Sequence, residues 1–286
     1  AGRQHRPAGA LYVVATPIGN LADLSLRAIH VLSLVDAVAC EDTRVSAHLL
    51  NHLGLHKPLL ALHAHNEHAA AAAVLARLAA GESVACVSDA GTPGVSDPGA
   101  VLVAMATAAG HPVVPVPGAS SAVTALSVAG DAAGAASGFS FVGFLPAKGG
   151  DRRSQLAAVL AEPRTQVLFE APHRIAELLT ALAEGAAARR VTVCRELTKQ
   201  FESLHTTDAE SLPTWLSADP NRTRGEFVVV LHALPAAPAT DALPDAALHT
   251  LRVLLRELPL KQAVALAAEL SGAPRNALYQ RALEER

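Results

Sequence analysis

The chain is organised around residues 84–99, which read VACVSDAGTPGVSDPG. The first four are apolar and strand-forming, and they run directly into a loop that holds three glycines and two prolines. An apolar pattern with helical spacing then resumes at residues 101–109. Glycine lets a ligand approach the backbone closely, and Ser96 or Asp97 can cap the helix, leaving its first amides directed into the loop. The stretch predicts a strand, loop and helix whose loop either binds a small ligand or is only a tight turn.

Units of the same kind flank this stretch. Short apolar strands, each followed by a helical pattern, are predicted at residues 11–15, 37–40, 59–62, 84–87 and 112–115. This alternation favours a largely parallel sheet, in which ligands bind beyond the carboxyl ends of the strands. The loops at residues 17–19, 89–94 and 118–121 should converge there. Neither G-x-G-x-x-G nor G-x-x-x-x-G-K-[ST] occurs at these strand ends, which counts against a dinucleotide-binding fold and a P-loop kinase.

Composition favours a soluble protein with two domains. The 286 residues are 51% hydrophobic, which is enough to bury a sizeable core. No apolar run approaches the ~20 residues of a membrane helix, and residues 1–10 are polar, so we expect no membrane association and a cytoplasmic location. The formal charge of −3 argues against a wholly basic nucleic-acid-binding surface but leaves room for local basic patches.

The cysteines and histidines do not suggest a metal site. Each cysteine lies at an apolar strand end, far from the others in sequence, at Cys40, Cys86 and Cys194. This spacing predicts buried free thiols rather than disulfides or a zinc site. Three histidines lie within residues 63–68, but no carboxylate or cysteine spacing completes a set of ligands. We therefore expect no metal and interpret these histidines as polar residues at a loop edge.

A glycine-rich segment of small residues at 131–138 marks a change in composition. It predicts a boundary between a first α/β domain at residues 1–130 and a second at residues 131–234. The second domain is predicted to be mixed, with strands near residues 166–169, 191–194, 204–207 and 227–232 and helices near 152–160 and 174–183.

The end of the chain is predicted to be a separate helical unit at residues 241–286, after a linker rich in proline and alanine. Leucines spaced on one stripe at residues 248–258, and apolar patterns at 260–270 and 274–283, predict three helices. The last two resemble a helix-turn-helix. Six basic and six acidic residues cancel from Asp241 onward, so charge alone does not predict RNA binding, and a role in packing or dimerisation is the alternative.

Eight motifs occur together in order along the chain. They are TPIGNL (16–21), CEDTR (40–44), HNE (65–67), SDAGTP (88–93), FLPAK (144–148), EAPHR (170–174), RELTK (195–199) and GEF (225–227). The set resembles the bacterial small-subunit ribosomal RNA (cytidine-2′-O)-methyltransferases of the tetrapyrrole-methylase-like superfamily, and the resemblance runs from about Leu11 to the C-terminus.

This resemblance implies a homodimer of two-domain α/β chains, with S-adenosylmethionine in a trough between the domains. The implied reaction is 2′-O-methylation of a cytidine in the decoding region of 16S ribosomal RNA, either free or in the small ribosomal subunit. Cofactor roles are implied for Pro17, Gly19, Asp89, Ala90, Gly91, Thr92, Pro93, Gly118, Ala119, Ser120, Ser121 and Phe144. Loop amides can bind the methionine carboxylate, and an acid such as Asp89 can bind the ammonium group.

Methyl transfer to a ribose hydroxyl needs alignment and removal of a weakly acidic proton, so a base or a polarising cation should lie at the site. The candidates are Glu196 and Lys199 in one strand-end cluster, Glu170 and His173 in another, and a third set at residues 41–44. The sequence does not choose among them, and phosphate binding or a structural ion pair is the alternative for each.

Local basic groups are the candidates for RNA contacts: Lys148, Arg152, Arg153, Arg174, Arg189, Arg190 and Arg195. Two other functional classes remain open. A related methylase that acts on a tetrapyrrole or a protein would share the cofactor loops but would not need the helical tail. A non-catalytic RNA-binding module would not bind S-adenosylmethionine.

Overall fold

The computed structural model describes residues 7–235 and 243–284. The chain divides into two compact units, Ala1–Ala233 and Leu234–Arg286. The first unit holds two five-stranded sheets and the second holds three helices. Most of the predicted proline- and alanine-rich linker falls on residues 236–242, outside the described residues.

The first sheet is wholly parallel, as the alternation of strands and helices predicts, with the strand order β3-β2-β4-β1-β5. The central strands β2 and β4 are buried at every residue because helices cover both faces. The elements are β1 (Leu11–Val14), α1 (Leu26–Leu34), β2 (Ala37–Cys40), α2 (Thr43–His52), β3 (Leu59–Ala61), α3 (Glu67–Ala79), β4 (Val84–Val87), α4 (Ala100–Ala108), β5 (Val113–Val116) and α5 (Ser121–Ala129).

The second sheet is mixed, as predicted, with the order β6-β7-β10-β8-β9. Strand β6 runs parallel to β7, and the remaining pairs are antiparallel. The register of β6 shifts between Phe141 and Gly143, and Gly143 adopts a φ of +70°, as expected at a bulge. The elements are α6 (Gly134–Ser137), β6 (Phe139–Phe144), α7 (Gly149–Ala161), β7 (Thr165–Glu170), α8 (Ile175–Gly185), β8 (Arg190–Arg195), β9 (Ser203–Asp208), α9 (Leu212–Ser217) and β10 (Phe227–Leu231).

Helix α5 packs against the second sheet. Its small buried residues Ala122, Ala125 and Ala129 allow a close approach to the strand residues Val167 and Val228. Ile18 and Leu197 extend the same apolar cluster toward the loops at the strand ends. This contact places the carboxyl ends of β1 and β4 beside the loops that follow β7 and β8.

The cap of α4 differs from the prediction. Gly99 occupies the N-cap position with a φ of +130°, and neither Ser96 nor Asp97 caps the helix. Instead, Glu67 Oε1 at the start of α3 accepts hydrogen bonds from the amides of Gly99 and Val101, at 2.8 and 3.2 Å. The helix amides are therefore satisfied by another helix and do not point into the loop.

The C-terminal unit has the three helices that the sequence predicts: α10 (Asp245–Glu257), α11 (Leu260–Ser271) and α12 (Arg275–Glu284). Gly272, in the left-handed conformation, ends α11. Leu251, Val264 and Leu278 form its buried core. Within the described residues, no helix is both long and apolar enough to cross a membrane. The three cysteines are free and buried, as predicted.

Candidate functional site

Backbone and hydroxyl groups join the three predicted loops at the carboxyl edge of the first sheet. Thr16 and Gly91 exchange two backbone hydrogen bonds of 2.9 and 3.1 Å. The Thr16 hydroxyl donates to the carbonyl of Ser88 at 3.0 Å, and the Thr92 hydroxyl donates to the carbonyl of Ala119 at 3.0 Å. The predicted convergence of the loops is therefore confirmed.

A cavity of about 360 Å³ opens between these loops and the second sheet, and we name it the Phe144 cavity. Phe144 and Phe169 form an edge-to-face pair with ring centroids 5.5 Å apart. Ile18 and Leu197 add apolar surface, and Asp97 adds a carboxylate. Its volume and its mixture of apolar walls with few polar groups are typical of a site for a small organic ligand.

A second cavity of about 290 Å³, the Lys199 cavity, adjoins the first. Ile18, Ala90 and Glu226 line both cavities, so the two are parts of one trough. Asp89, Lys199 and Glu226 contribute its charged groups. The trough therefore combines aromatic surface in the Phe144 cavity with a lysine in the Lys199 cavity, and carboxylates line both.

Three carboxylates, those of Glu41, Asp89 and Asp97, follow strands β2 and β4. Burial, and then the charge of Asp89, raise the pKa of Asp97, although the Ser88 hydroxyl opposes this shift. Burial and the charges of Asp89 and Asp97 also raise the pKa of Glu41. None of the three forms an ion pair within the residues described. Mutual repulsion of uncompensated carboxylates favours a bound cation at this edge of the trough.

Asp42 and Arg44, of the third predicted set, pair with each other on the surface. Arg44 Nη2 lies 2.6 Å from Asp42 Oδ2, and the hydrogen bonds from Arg44 hold the pKa of Asp42 at about 2. The Asp42 amide donates to Asp89 Oδ1 at 3.0 Å and so orients that carboxylate. Asp42 is thus a poor proton acceptor.

Lys199 lies between two carboxylates at the other wall of the trough. Its ammonium donates to Glu196 Oε1 at 3.0 Å and to Glu226 Oε2 at 2.9 Å. Burial opposes the charge of Lys199, but these hydrogen bonds outweigh it and raise its pKa. Burial also opposes the charge of Glu196, yet the Glu226 amide and Lys199 lower the pKa of Glu196. Lys199 therefore stays a cation and Glu196 stays ionised at neutral pH.

The backbone that carries this ion pair is strained. Glu196 and Thr198 adopt φ values of +53° and +66°, which are uncommon for residues other than glycine. A Cβ on Gly225 would lie 2.5 Å from the Glu196 side chain, and one on Gly19 would lie 2.5 Å from Lys199 Cγ. Glycine at both positions is therefore required for Lys199 to approach the first domain.

The predicted cofactor residues separate into two groups. Pro17, Gly19, Asp89, Ala90, Ser121 and Phe144 line the trough. Gly91 and Thr92 join loops, and Gly118 approaches Ala15 so closely that a Cβ would lie 2.9 Å from the Ala15 side chain. Pro93, Ala119 and Ser120 lie in the same loops without lining either cavity.

Two carboxylates that line the trough, those of Asp97 and Glu226, are not among the site residues predicted from the sequence. Asp97 was considered only as a helix cap, because a helix follows it directly in sequence. Glu226 belongs to the GEF motif, but nothing in its local sequence indicates a role in the site. Because Glu67 caps α4, the Asp97 carboxylate is not needed as a cap and can contact a ligand. The contact between Glu67 and the start of α4 is long-range and cannot be seen in the sequence.

Glu170 and its neighbours form a buried ion cluster. The Glu170 side chain is fully buried, with Oε2 3.0 Å from Arg152 Nη2 and Oε1 2.8 Å from Arg174 Nε. Arg152 also lies 3.1 Å from Glu177. His173 is exposed on the connecting turn and does not line either cavity. Both carboxylate oxygens of Glu170 are thus engaged by arginines, which is the structural ion pair that the sequence left open as the alternative role.

Three of the arginines predicted to contact RNA are engaged within the protein. Arg189 is buried and donates to the carbonyls of His232 and Arg164 at 2.8 and 2.9 Å. Arg152 is buried and Arg174 is partly buried, and both pair with Glu170. These contacts make the three arginines weaker candidates for RNA contacts than the exposed basic residues. Lys148, Arg153 and Arg190 are exposed, and Arg195 is half-buried.

Comparison with known proteins relates the whole chain to one group. The profile of the tetrapyrrole (corrin/porphyrin) methylases matches residues 10–213, and that of the RsmI C-terminal HTH domain matches residues 241–286. A protein of Pseudomonas aeruginosa named ribosomal RNA small subunit methyltransferase I is 48% identical over 97% of this chain and 98% of its own. Its namesake in Escherichia coli O157:H7 is 46% identical over 99% of both chains.

Solved structures agree on the fold. Diphthine synthase aligns with a TM-score of 0.59 and 16% identity, over 78% of this chain and 90% of its own. The uroporphyrin-III C-methyltransferase of Thermus thermophilus, complexed with S-adenosylhomocysteine, aligns with a TM-score of 0.54 and 19% identity over 77% and 96%. The chain therefore belongs to the tetrapyrrole methylase family and, within it, to the group named ribosomal RNA small subunit methyltransferase I.

Proposed function

We propose that this protein transfers the methyl group of S-adenosylmethionine to the 2′-hydroxyl of a cytidine in the decoding region of 16S ribosomal RNA. The observation that carries the proposal is a trough with uncompensated carboxylates on one wall and an ion-paired lysine on the other. Its relatives, which match over nearly the full length of both chains, are named for methylation of small-subunit ribosomal RNA.

The trough suits the cofactor chemically. Phe144, Phe169 and Ile18 offer apolar surface of the kind that an adenine ring contacts. Asp97 and Asp89 offer carboxylates to the amino group, and loop amides near Ala90 offer donors to the carboxylate. S-adenosylmethionine supplies an electrophilic methyl group on a positively charged sulfur, which the same carboxylates favour.

Lys199 is our proposed polarising group. A lysine that remains protonated cannot accept the ribose proton, but it stabilises negative charge that develops on the 2′-oxygen. Glu196 and Glu226 hold the ammonium in place and leave its third hydrogen available. With the cofactor bound, the ribose oxygen would accept the methyl group while the electron pair of the carbon–sulfur bond stays on sulfur. The hydroxyl proton would leave to solvent, because Glu196, whose pKa is lowered, is a poor acceptor.

The exposed basic groups Lys148, Arg153 and Arg190, together with Arg195, are our proposed contacts to RNA phosphates. We also propose that the protein acts in the cytoplasm, where small subunits assemble, and that it is a homodimer. Val123 and Val128 expose apolar surface on α5, which suits an interface between copies. Light scattering of the purified protein tests the dimer.

A tetrapyrrole or protein substrate is the main alternative, since solved structures with such names share the fold. The C-terminal helical unit and the names of the full-length relatives favour RNA. The test is methyl transfer from labelled S-adenosylmethionine to small subunits from cells that lack this protein, followed by mass spectrometry of the nucleosides. We expect one 2′-O-methylcytidine. Label in protein, or in no nucleoside, would contradict the proposal.

A further inference from the structure

A groove of about 790 Å³ lies beside the trough, on the far side of the Glu196–Lys199 ion pair. Glu196 and Gly225 line the groove, whereas Lys199 and Glu226 line the trough. The two spaces are therefore separated only by the cluster in which we place the polarising group. The function proposed above gives no role to this groove.

Phe201 is the most unusual side chain of the groove. It is 67% exposed, more than any other of the six phenylalanines in the chain. Its ring is not needed for the apolar core, but its position is fixed, because Arg195 Nη1 donates to the Phe201 carbonyl at 2.9 Å. A solvated aromatic ring on an anchored backbone provides a flat surface for another planar group.

The groove also holds three arginines with different surroundings. Arg222 Nη1 donates to the Trp215 carbonyl at 2.6 Å, and its guanidinium lies 5.0 Å from the centre of the Trp215 ring. Arg195 is held by the carbonyls of Phe201 and Asn221. Arg224 is exposed, and within the described part of the chain it has neither an ion pair nor a side-chain hydrogen bond. Arg224 is thus available to an anion.

The carboxylates of the groove are held within its own loops. Glu202 accepts the Thr198 amide at 2.6 Å, and Asp219 accepts the Asn221 amide at 2.8 Å. Glu196 accepts both Lys199 and the Glu226 amide. None of these acids pairs with Arg224, so the Arg224 guanidinium is the cation of the groove that remains to pair with a ligand.

From this arrangement we propose that the groove binds an unpaired nucleotide of the substrate RNA next to the methylated one. Its base stacks on Phe201 and its phosphate pairs with Arg224. An aromatic face next to arginines is the combination that binds single-stranded nucleic acid, because every base has a stacking face and every phosphate a charge. The proposal rests on RNA being the substrate.

The test measures methyl transfer to unmethylated small ribosomal subunits for Phe201→Ala, Phe201→Trp and Arg224→Gln. Loss of one stacked base should raise KM about 5- to 150-fold in Phe201→Ala, with kcat at saturation nearly unchanged. Phe201→Trp should keep the parental KM because it keeps an aromatic face. Arg224→Gln should raise KM and reduce the slope of log affinity against log salt by about 0.7.

Matched controls lie elsewhere on the same sheet. Phe139 is 48% exposed on β6, at the opposite edge from β9, so Phe139→Ala removes another exposed ring far from the groove. Arg164→Gln removes an exposed arginine that pairs with Glu162. Both should keep the parental KM. A second readout is photo-crosslinking of small-subunit RNA that contains 5-iodopyrimidines, which should attach to Phe201.

The outcomes distinguish this proposal from the function on which it rests. If the parent protein does not methylate small-subunit RNA, the proposed function fails. If the parent is active but Phe201→Ala and Arg224→Gln keep KM within two-fold, only the groove assignment is overturned. Calorimetry should give unchanged S-adenosylmethionine affinity in both variants, and a loss there would assign the groove to the cofactor site instead.

Discussion

Glu67 Oε1 accepts a hydrogen bond of 2.8 Å from the backbone amide of Gly99, which joins the start of α3 to the start of α4. The same oxygen accepts the Val101 amide at 3.2 Å. A carboxylate from one helix thus caps another, so Asp97 is not consumed as a cap. Its carboxylate lies in the Phe144 cavity instead. Because Glu67 of α3 accepts the amides at the start of α4, the Asp97 carboxylate is left to face the trough.

Glu67→Ala should therefore destabilise the protein by about 1–2 kcal/mol, because two helix amides lose their acceptor and a charge at the end of the helix dipole disappears. Glu67→Gln, which keeps an acceptor oxygen, should lose less. Urea unfolding measures the difference. Glu184→Ala, an exposed acid on α8, is the control and should leave the midpoint unchanged. Equal losses at Glu67 and Glu184 would contradict the capping role.

Gly91→Val should abolish S-adenosylmethionine binding while the protein stays folded. Gly91 has a φ of +82°, and an added Cβ would lie 3.4 Å from Ile18 Cγ2, in the wall shared by both cavities. Strain of this kind costs about 1–3 kcal/mol and would displace the loop that faces the cofactor. Calorimetry measures the affinity, and circular dichroism measures folding.

Gly110→Val is the matched control. Gly110 has a similar φ of +80°, but no atom within 4 Å would meet the new Cβ. Gly110→Val therefore introduces a similar backbone strain but leaves the trough unchanged. We expect reduced stability in both variants and reduced cofactor affinity in Gly91→Val alone. Parental affinity in Gly91→Val would remove this loop from the cofactor site.

All strands of the first sheet and four of the second could be predicted from the sequence because their apolar periodicity is local. The predicted strand at residues 37–40 agrees residue for residue with β2, whereas β6 was not among the predicted strands. The convergence of the loops also follows from parallel topology. Long-range contacts could not be predicted in this way. The Glu67 cap, the burial of Arg189 and the separation of Phe201 from the core depend on packing that no local pattern records.

Arg189 and Arg190 illustrate the reason. The sequence does not show whether a guanidinium faces a phosphate or a buried carbonyl. Arg189 immediately precedes β8 and Arg190 begins it, yet Arg189 turns inward to the carbonyl of His232 while Arg190 stays at the surface near Asp208. Only the fold separates the two.

Asp97→Asn should weaken S-adenosylmethionine binding and remove its dependence on pH. Burial and the charge of Asp89 raise the pKa of Asp97, so protonation of this acid in the free protein begins at a higher pH than for an ordinary carboxyl. The protonated acid contributes stability below the ordinary carboxyl pKa, and that contribution is lost as pH rises through the raised value. A cationic ligand prefers the ionised form, so affinity should fall as the pH is lowered from neutrality through the raised pKa of Asp97.

Calorimetry across that pH range, in two buffers of different ionisation enthalpy, measures both affinity and proton release. Asp36→Asn is a suitable control, since Asp36 accepts the Ser83 amide away from the cavities. The assignment of Asp97 would be wrong if Asp97→Asn kept the parental affinity, or if the pH dependence survived the substitution.

Arg153→Gln and Arg189→Gln should have opposite consequences. Arg153 is exposed, so its loss should weaken RNA binding and reduce the salt slope by about 0.7 to 0.9 without affecting stability. Arg189 is buried against backbone carbonyls, so its loss should destabilise the fold by about 1–3 kcal/mol. Filter binding over a salt series and thermal unfolding separate the two effects. A stable Arg189→Gln protein with weak RNA binding would restore Arg189 to the RNA surface.

Lys199→Met should lower the single-turnover rate of methyl transfer by about 100-fold or more, with RNA affinity nearly unchanged. The reason is that the Lys199 ammonium, held at 3.0 Å by Glu196 and at 2.9 Å by Glu226, is our proposed source of positive charge for the developing 2′-oxyanion. Glu196→Gln should have a smaller effect, because Glu226 still holds the lysine. If Glu196 accepts the proton itself, its loss should cost as much as that of Lys199.

The measurement is single-turnover methylation at saturating cofactor, with RNA affinity determined in parallel. A residue that only binds phosphate contributes equally to the ground and transition states, so its loss weakens RNA binding and leaves the saturated rate intact. Lys57→Met is the control, because Lys57 donates to the Ser33 and Val35 carbonyls outside the trough. Rates within a few-fold of the parent in both variants would exclude this ion pair from the chemistry. Glu170, although it is paired with two arginines, would then be the next carboxylate to substitute, because it also lines the Phe144 cavity.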